Sequence, residues 1–182
     1  MQPGRSLYST HQGYQEKIHN VHWWGDQTFL TSRLDNMNAL LCKLPNFQIQ
    51  KLQRIQNHAA RIIKKCKKTD HITPLLFDLH WLPIKFRIEY KILLLVFKCL
   101  HGEGPEYLAS LLEDYNQPMG LRSVSQHRLK EVRSKKKYGE RAFSVIGPKL
   151  WNDLPVELKT SESVNIFKKS LKTYLFRQAY NL

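Results

Sequence analysis

Beyond residue 30 the apolar positions mostly recur at intervals of three and four, the spacing of helices. Leu30, Leu34, Met37, Leu41 and Leu44 predict one helix, which Pro45 ends. A second is predicted from Asn46 to Lys68. Stepping ~100° per residue puts Leu52, Ile55, Ala59, Ile62, Ile63 and Cys66 in one arc. Lys51, Arg54, His58, Arg61, Lys65 and Lys68 fall in a second arc beside it. The apolar arc is expected to pack inward and the cationic arc to face outward. The tight Leu-Pro-Asn link predicts that these two helices form an antiparallel hairpin.

The pattern continues with a short helix from Thr73 or Pro74 that halts before Pro83. The next segment, IKFRIEYKILLLVFKCLHG, is apolar almost all round, with Arg87, Lys91 and Lys98 on one narrow strip. Such a helix belongs at the centre of a bundle. Gly102 and Gly104-Pro105 end it, and a short helix near Glu106 to Glu113 follows. The period is then lost until Lys137. This stretch reads as a loop, with room for one short β-hairpin through Leu129 and Val132, and loops of that length are functional or disordered. YGERAFSVIGPKLWNDLP predicts two short helices broken at Gly147-Pro148. Val164, Phe167, Leu171, Tyr174 and Leu175 mark a C-terminal helix with Ser163 as N-cap.

The fold class expected is mainly α, an irregular helical bundle. Residues 1–26 read as a disordered or loosely packed arm, with Trp23-Trp24 in it. The bundle covers 27–114, with the basic helix at 46–68 and the central helix at 84–101. A basic loop fills 115–137, and C-terminal helices over 138–182 pack on the bundle.

Charge sharpens this picture. The 182 residues carry a net charge of +14, and no acid falls between Asp35 and Asp70. Such an excess attracts polyanions, which is an argument about partners and not about fold. For the basic helix alone, a phosphate contact and a merely solvated face are both open readings. The three cysteines, Cys42, Cys66 and Cys99, sit on apolar helical faces and read as reduced core residues. The N-terminal residues lack the apolar stretch of a signal peptide, and ILLLVF at 92–97 is too short to span a bilayer. The expectation is an intracellular protein, nuclear or cytoplasmic, neither secreted nor transmembrane.

No catalytic constellation is present in the sequence. It has no adjacent aspartates for two metal ions, no glycine-rich phosphate loop and no nucleophile elbow. Cys66 with His71 and Cys99 with His101 do not have the spacing of a zinc framework. No cofactor, metal or small-molecule substrate is expected. Phe86, Tyr90, Phe97, Phe143, Trp151, Phe167 and Tyr174 recur at helical spacing and read as core, and Trp81 reads as a wedge at a helix junction.

Five segments carry a family resemblance: TSRLDNMNALL, KLQRIQNHAARII, DHITPLLFDLHWLPIKFRIEYKILLLVFKCLHG, YGERAFSVIGPKLWNDLP and SVNIFKKSLKTYLF. In this order they resemble the C-terminal region of polyproteins encoded by non-LTR retrotransposons (LINEs) of the jockey superfamily, from about Thr31 to Tyr180. In that family the matching region follows the reverse transcriptase palm and covers the end of the thumb and the tail. The chain departs from the family at Asn36-Met37 and Cys42-Lys43, in residues 1–30, and in a more charged SQHRLKEVRSKKK loop. The resemblance implies a nucleic-acid-handling region without the palm's catalytic aspartates, hence no enzyme by itself.

The leading expectation is that Lys51, Arg54, Arg61, Lys65 and Lys68 track the phosphates of template RNA or an RNA–DNA hybrid. Arg133, Lys135, Lys136 and Lys137 would add a second, mobile contact. The expected partners are thus RNA or DNA backbone and a reverse transcriptase core, with no membrane. Two alternatives stand beside this: a structural module that packs on a polymerase core, and a relic fragment with no selected function.

Overall fold

The structure, a computed structural model, describes residues 32–115, 127–136 and 138–182. The arm at 1–26, most of the basic loop at 115–137, and Lys137 lie outside the described residues. The chain divides into two compact units, Met1–Asn36 and Met37–Leu182. Of the first unit only 32–36 are described, with a helical turn at 32–35.

The second unit is helical. Its α-helices are α1 (Asn46–Lys64), α2 (Ile72–Asp78), α3 (Ile84–Leu100), α4 (Glu106–Ala109), α5 (Phe143–Asn152), α6 (Val156–Lys159) and α7 (Val164–Tyr180). Short 3₁₀ turns occur at Asn38–Leu41 and Gly139–Arg141. α3 is the hub and packs against α1, α4, α5, α7 and the first 3₁₀ turn. Its composition explains the position. Ile84, Ile88, Ile92, Leu93, Val96, Phe97 and Cys99 are buried, and only Lys85 and Leu100 are exposed. Phe97 stacks on Phe167 of α7 with ring centroids 4.1 Å apart, and Trp151 of α5 tilts against both rings. Burying aromatics of this size supplies much of a core's driving force.

α7 buries Val164, Phe167, Leu171 and Leu175, and the Ser163 hydroxyl accepts from the Ile166 N–H. Its last turn is pinned by Tyr180, whose hydroxyl donates to the Trp81 carbonyl at 2.6 Å. Burial pushes that hydroxyl's pKa up to about 12. Trp81 itself is buried at the junction of α2 and α3.

The backbone departs from the sequence pattern in four places. The helix predicted through Leu44 breaks at Met37, which takes a left-handed φ of 52°, and Lys43 does the same at 57°. Arg141 holds the second of these turns: its guanidinium donates to the carbonyls of Leu40 and Cys42, and a helix continuing through Leu44 would use the Leu40 carbonyl for the Leu44 N–H. No hairpin of two full helices therefore forms there. The basic helix expected to reach Lys68 ends at Lys64.

α5 runs unbroken through Gly147-Pro148, the third departure. Pro148 stands inside that helix, sixth of its ten residues, and forfeits one backbone bond. A Cβ on Gly147 would lie 3.1 Å from Val96, so the glycine sets how closely α5 approaches α3. The fourth concerns the hairpin placed at Leu129 and Val132. Among the described residues there is instead one isolated antiparallel bridge, Asp114 to Leu129.

That bridge ties down the far end of the loop. The Tyr115 N–H donates to the Arg128 carbonyl and the Lys130 N–H to that of Glu113. Asn152 completes the clamp like a strand partner: it accepts from the Leu129 N–H and donates to the Leu129 carbonyl, both at 2.9 Å. Lys159 is buried beneath this clamp and donates to the Asn152 carbonyl. Burial, with Arg128 nearby, lowers its pKa against the opposing pull of Asp153.

Candidate nucleic-acid interface

α1 begins at Pro45, which has no side-chain oxygen with which to cap it, and the Gln48 and Ile49 N–H groups turn back to the Pro45 carbonyl. It closes on Lys65, left-handed at φ 52°. The Lys65 N–H donates to Ile62 and the Cys66 N–H to Arg61, the paired bonds of a Schellman end. Nothing like glycine marks this end in the sequence. Asp70 enforces it from outside: its carboxylate accepts from the Lys67 N–H at 2.8 Å, and its carbonyl accepts from Arg61 Nη2 at 3.2 Å.

Lys51, Arg54, Lys65 and Lys68 are exposed. Arg61 is half-buried and spends its guanidinium on the α1–α2 link, so it belongs to the scaffold as much as to the surface. Lys64 faces the other flank, paired with Asp78 at 3.5 Å. Lys65 and Lys68 lie past the last helical residue, off the regular face. Arg133, Lys135 and Lys136 are exposed too, but on a turn held by hydrogen bonds. The Ser134 hydroxyl donates to the Lys136 carbonyl, and the Gly139 N–H donates to the same carbonyl. The two groups of cations stand on different mounts. α1 packs on α2 and α3, whereas the second group precedes the 3₁₀ turn that packs on α5.

The larger surprise is how α1 is rotated. Its fully buried residues are Gln56 and Ala60, each at 0% exposure, while Ile55 and Ile62 are 52% and 56% exposed. The inward face is thus turned by roughly a quarter of a revolution from the apolar arc. Leu52 and Ile63 now form its edge, half-buried.

Polar bonds account for the rotation. Pro83 precedes α3, and the first N–H of that helix, on Ile84, is taken by Gln53 Oε1 at 2.9 Å. Gln56 Nε2 donates to the Leu82 carbonyl at 2.9 Å, and Gln53 Nε2 bridges to Gln56 and Asn57. Turning the isoleucines, already half-exposed, inward would recover about half the ~1.5–3 kcal/mol that each full burial supplies. It would strand two buried backbone groups at ~1–3 kcal/mol apiece. The glutamines win that comparison. They were missed because glutamine carries no burial signal of its own; the readable clue was the uncapped, proline-led start of α3.

The outward crest of α1 is consequently mixed. Phe47, Lys51, Ile55, His58 and Ile62 follow one another at 4-4-3-4 spacing, with Arg54 beside them. Phe47 is 59% exposed, and Lys51 Nζ stands 5.9 Å from its ring centroid.

Among the described residues, no cluster of His, Cys, Asp and Glu could hold a metal ion, and no helix is long and apolar enough to cross a membrane. All three cysteines are free; Cys42 and Cys99 are buried, and burial raises the pKa of both thiols. No protein-family model, curated protein or solved structure matches the chain.

Proposed function

We propose that the chain is a non-catalytic nucleic-acid-binding module, derived from the post-palm region of a LINE-type RNA-directed DNA polymerase. Its α1 crest, with Lys51 and Arg54, and the cations just past the helix, Lys65 and Lys68, lie along an RNA or RNA–DNA backbone. One observation carries this reading. Four exposed cations stand on and just past a helix that has no acid anywhere along it. Lys65 and Lys68 have a local use, since cations beyond a helix C-terminus offset its dipole by ~0.3–1 kcal/mol each. Lys51 and Arg54 lie nearer the other end, where the dipole gives them nothing. They are the informative pair.

The test is the salt dependence of binding to an RNA oligonucleotide. Each phosphate neutralised contributes a log–log slope of ~−0.7 on a single strand and ~−0.9 on a duplex. Lys51→Glu with Arg54→Glu should flatten the slope by about two such contacts while the thermal melt stays put. A slope that ignores the double substitution rejects the crest as the interface.

A second reading, a module that packs on a polymerase core, is favoured by Met37 and Leu40, which are 68% and 63% exposed. It predicts concentration-dependent self-association of the isolated chain that is indifferent to RNA.

A further inference from the structure

Three apolar side chains on the crest of a cationic helix need an explanation that phosphate contact does not give. Phosphates ask only for positive charge, and lysines or glutamines in place of Phe47, Ile55 and Ile62 would serve them as well. The fold has left these residues outside while burying Gln56 and half-burying Gln53 on the inward side of the same helix. From Phe47 to Ile62 is fifteen residues, or ~22 Å of helix.

We propose that the α1 crest is a platform for unpaired nucleic acid, single-stranded in preference to duplex. Bases rest on Phe47, Ile55 and Ile62, and phosphates lie toward Lys51 and Arg54. This rests on the nucleic-acid reading above and narrows it. The chemistry follows from what each form of nucleic acid presents. A duplex turns its phosphates outward and hides the base faces, so apolar tips on the crest gain nothing from it. A single strand offers both at once: charge for the cations and a π-face for the phenyl ring. The Lys51 ammonium beside that ring adds a cation next to the site of stacking.

The charge pattern argues against other occupants. A second copy would bring its own share of +14 and set Lys51 and Arg54 against the same residues. A protein partner would have to bury cations at the centre of the contact, where interfaces are depleted of charge. An interfacial membrane helix needs a broad apolar face, whereas here lysine and histidine interrupt a single line of three apolar residues.

The experiment uses the full chain and fluorescence anisotropy with a labelled twelve-nucleotide single strand and its duplex. Phe47→Ala should weaken single-strand binding by roughly 5- to 100-fold, the loss of one stacked base, and leave duplex binding within twofold. The salt slope should not change, because no cation is removed. Ile55→Gln with Ile62→Gln should act in the same direction. All three residues are more than half exposed, so the variants keep the fold, which a melt verifies.

Equal losses on both probes, or none on either, overturn the platform. If duplex binding still depends on Lys51 and Arg54, the nucleic-acid reading survives that failure; if neither probe depends on them, both fall. Two further results also overturn the platform: Phe47-dependent binding to phosphatidylglycerol vesicles, and a Phe47-dependent dimer in sizing.

Discussion

α3 and α1 are the two long helices that meet at the Leu82–Ile84 corner, and they obey different rules. α3 is apolar nearly all round, so no rotation would expose fewer of its large side chains, and it lies in the centre. α1 is amphipathic by composition, yet it turns polar residues inward and leaves two isoleucines out. Hydrophobic area decides where a helix goes when its surplus is large. When the surplus is a few half-exposed side chains, one or two buried backbone groups in need of partners outweigh it.

The sharpest way to break this comparison is to truncate one apolar residue on each side of it. Phe167 is fully buried against Phe97 and Trp151, so Phe167→Ala should cost ~3–5 kcal/mol in urea unfolding. Ile62→Ala should fall within about 0.5 kcal/mol of zero, because water already reaches the side chain and alanine is the better helix former. A loss above about 2 kcal/mol for Ile62→Ala would mean that α1 packs on its apolar arc after all.

Next in size is the polar side of the contrast. Gln56→Ala should cost ~1–3 kcal/mol by leaving the Leu82 carbonyl buried without its donor. Gln56→Leu should also destabilise, although it adds an apolar side chain at a fully buried position. A Gln56→Leu chain as stable as the original would show that packing alone orients α1, and the account of its rotation would fail.

This contrast also explains what could be read from the amino acids. The helical class, the central place of α3, the Ser163 cap and the apolar side of α7 were legible because each follows from runs of large apolar residues or a local cap. The outward cations Lys51 and Arg54 were legible as well, since a buried lysine or arginine needs a partner and none stands nearby in sequence. The rotation of α1 was not, for it depends on Gln53 reaching Ile84, 31 residues away. The turn at Lys43 is held by Arg141, 101 residues from Leu40. The end of α1 at Lys64 rests on Asp70, close by but without the glycine that usually marks such a turn. Long-range bonds from side chain to backbone leave no periodic trace. They are what redistributed the candidate site, moving Arg61 toward the scaffold and bringing Phe47, Ile55 and Ile62 to the crest.

The smallest effect tests the exception within α3. Glu89 is largely withdrawn from water on that apolar helix, and burial raises its carboxyl pKa above the ordinary 4.5, with Lys85 and Lys43 pulling it partly back. The sign follows from proton counts. Between 4.5 and the raised value, the folded chain holds a proton that the unfolded chain has released. Stability contributed by this group therefore falls as pH rises through that window, and the cost of the buried charge is fully present above it. Glu89→Gln keeps the shape and removes the charge. Its urea midpoint should exceed that of the parent chain at pH 7, and the two midpoints should converge below about pH 4. Because every other carboxylate titrates in both chains, the difference between them isolates Glu89. If Glu89→Gln is instead the less stable chain at neutral pH, the attraction of Lys85 and Lys43 outweighs desolvation. α3 would then tolerate charge for the same reason α1 tolerates buried amides, namely that a partner is already in place.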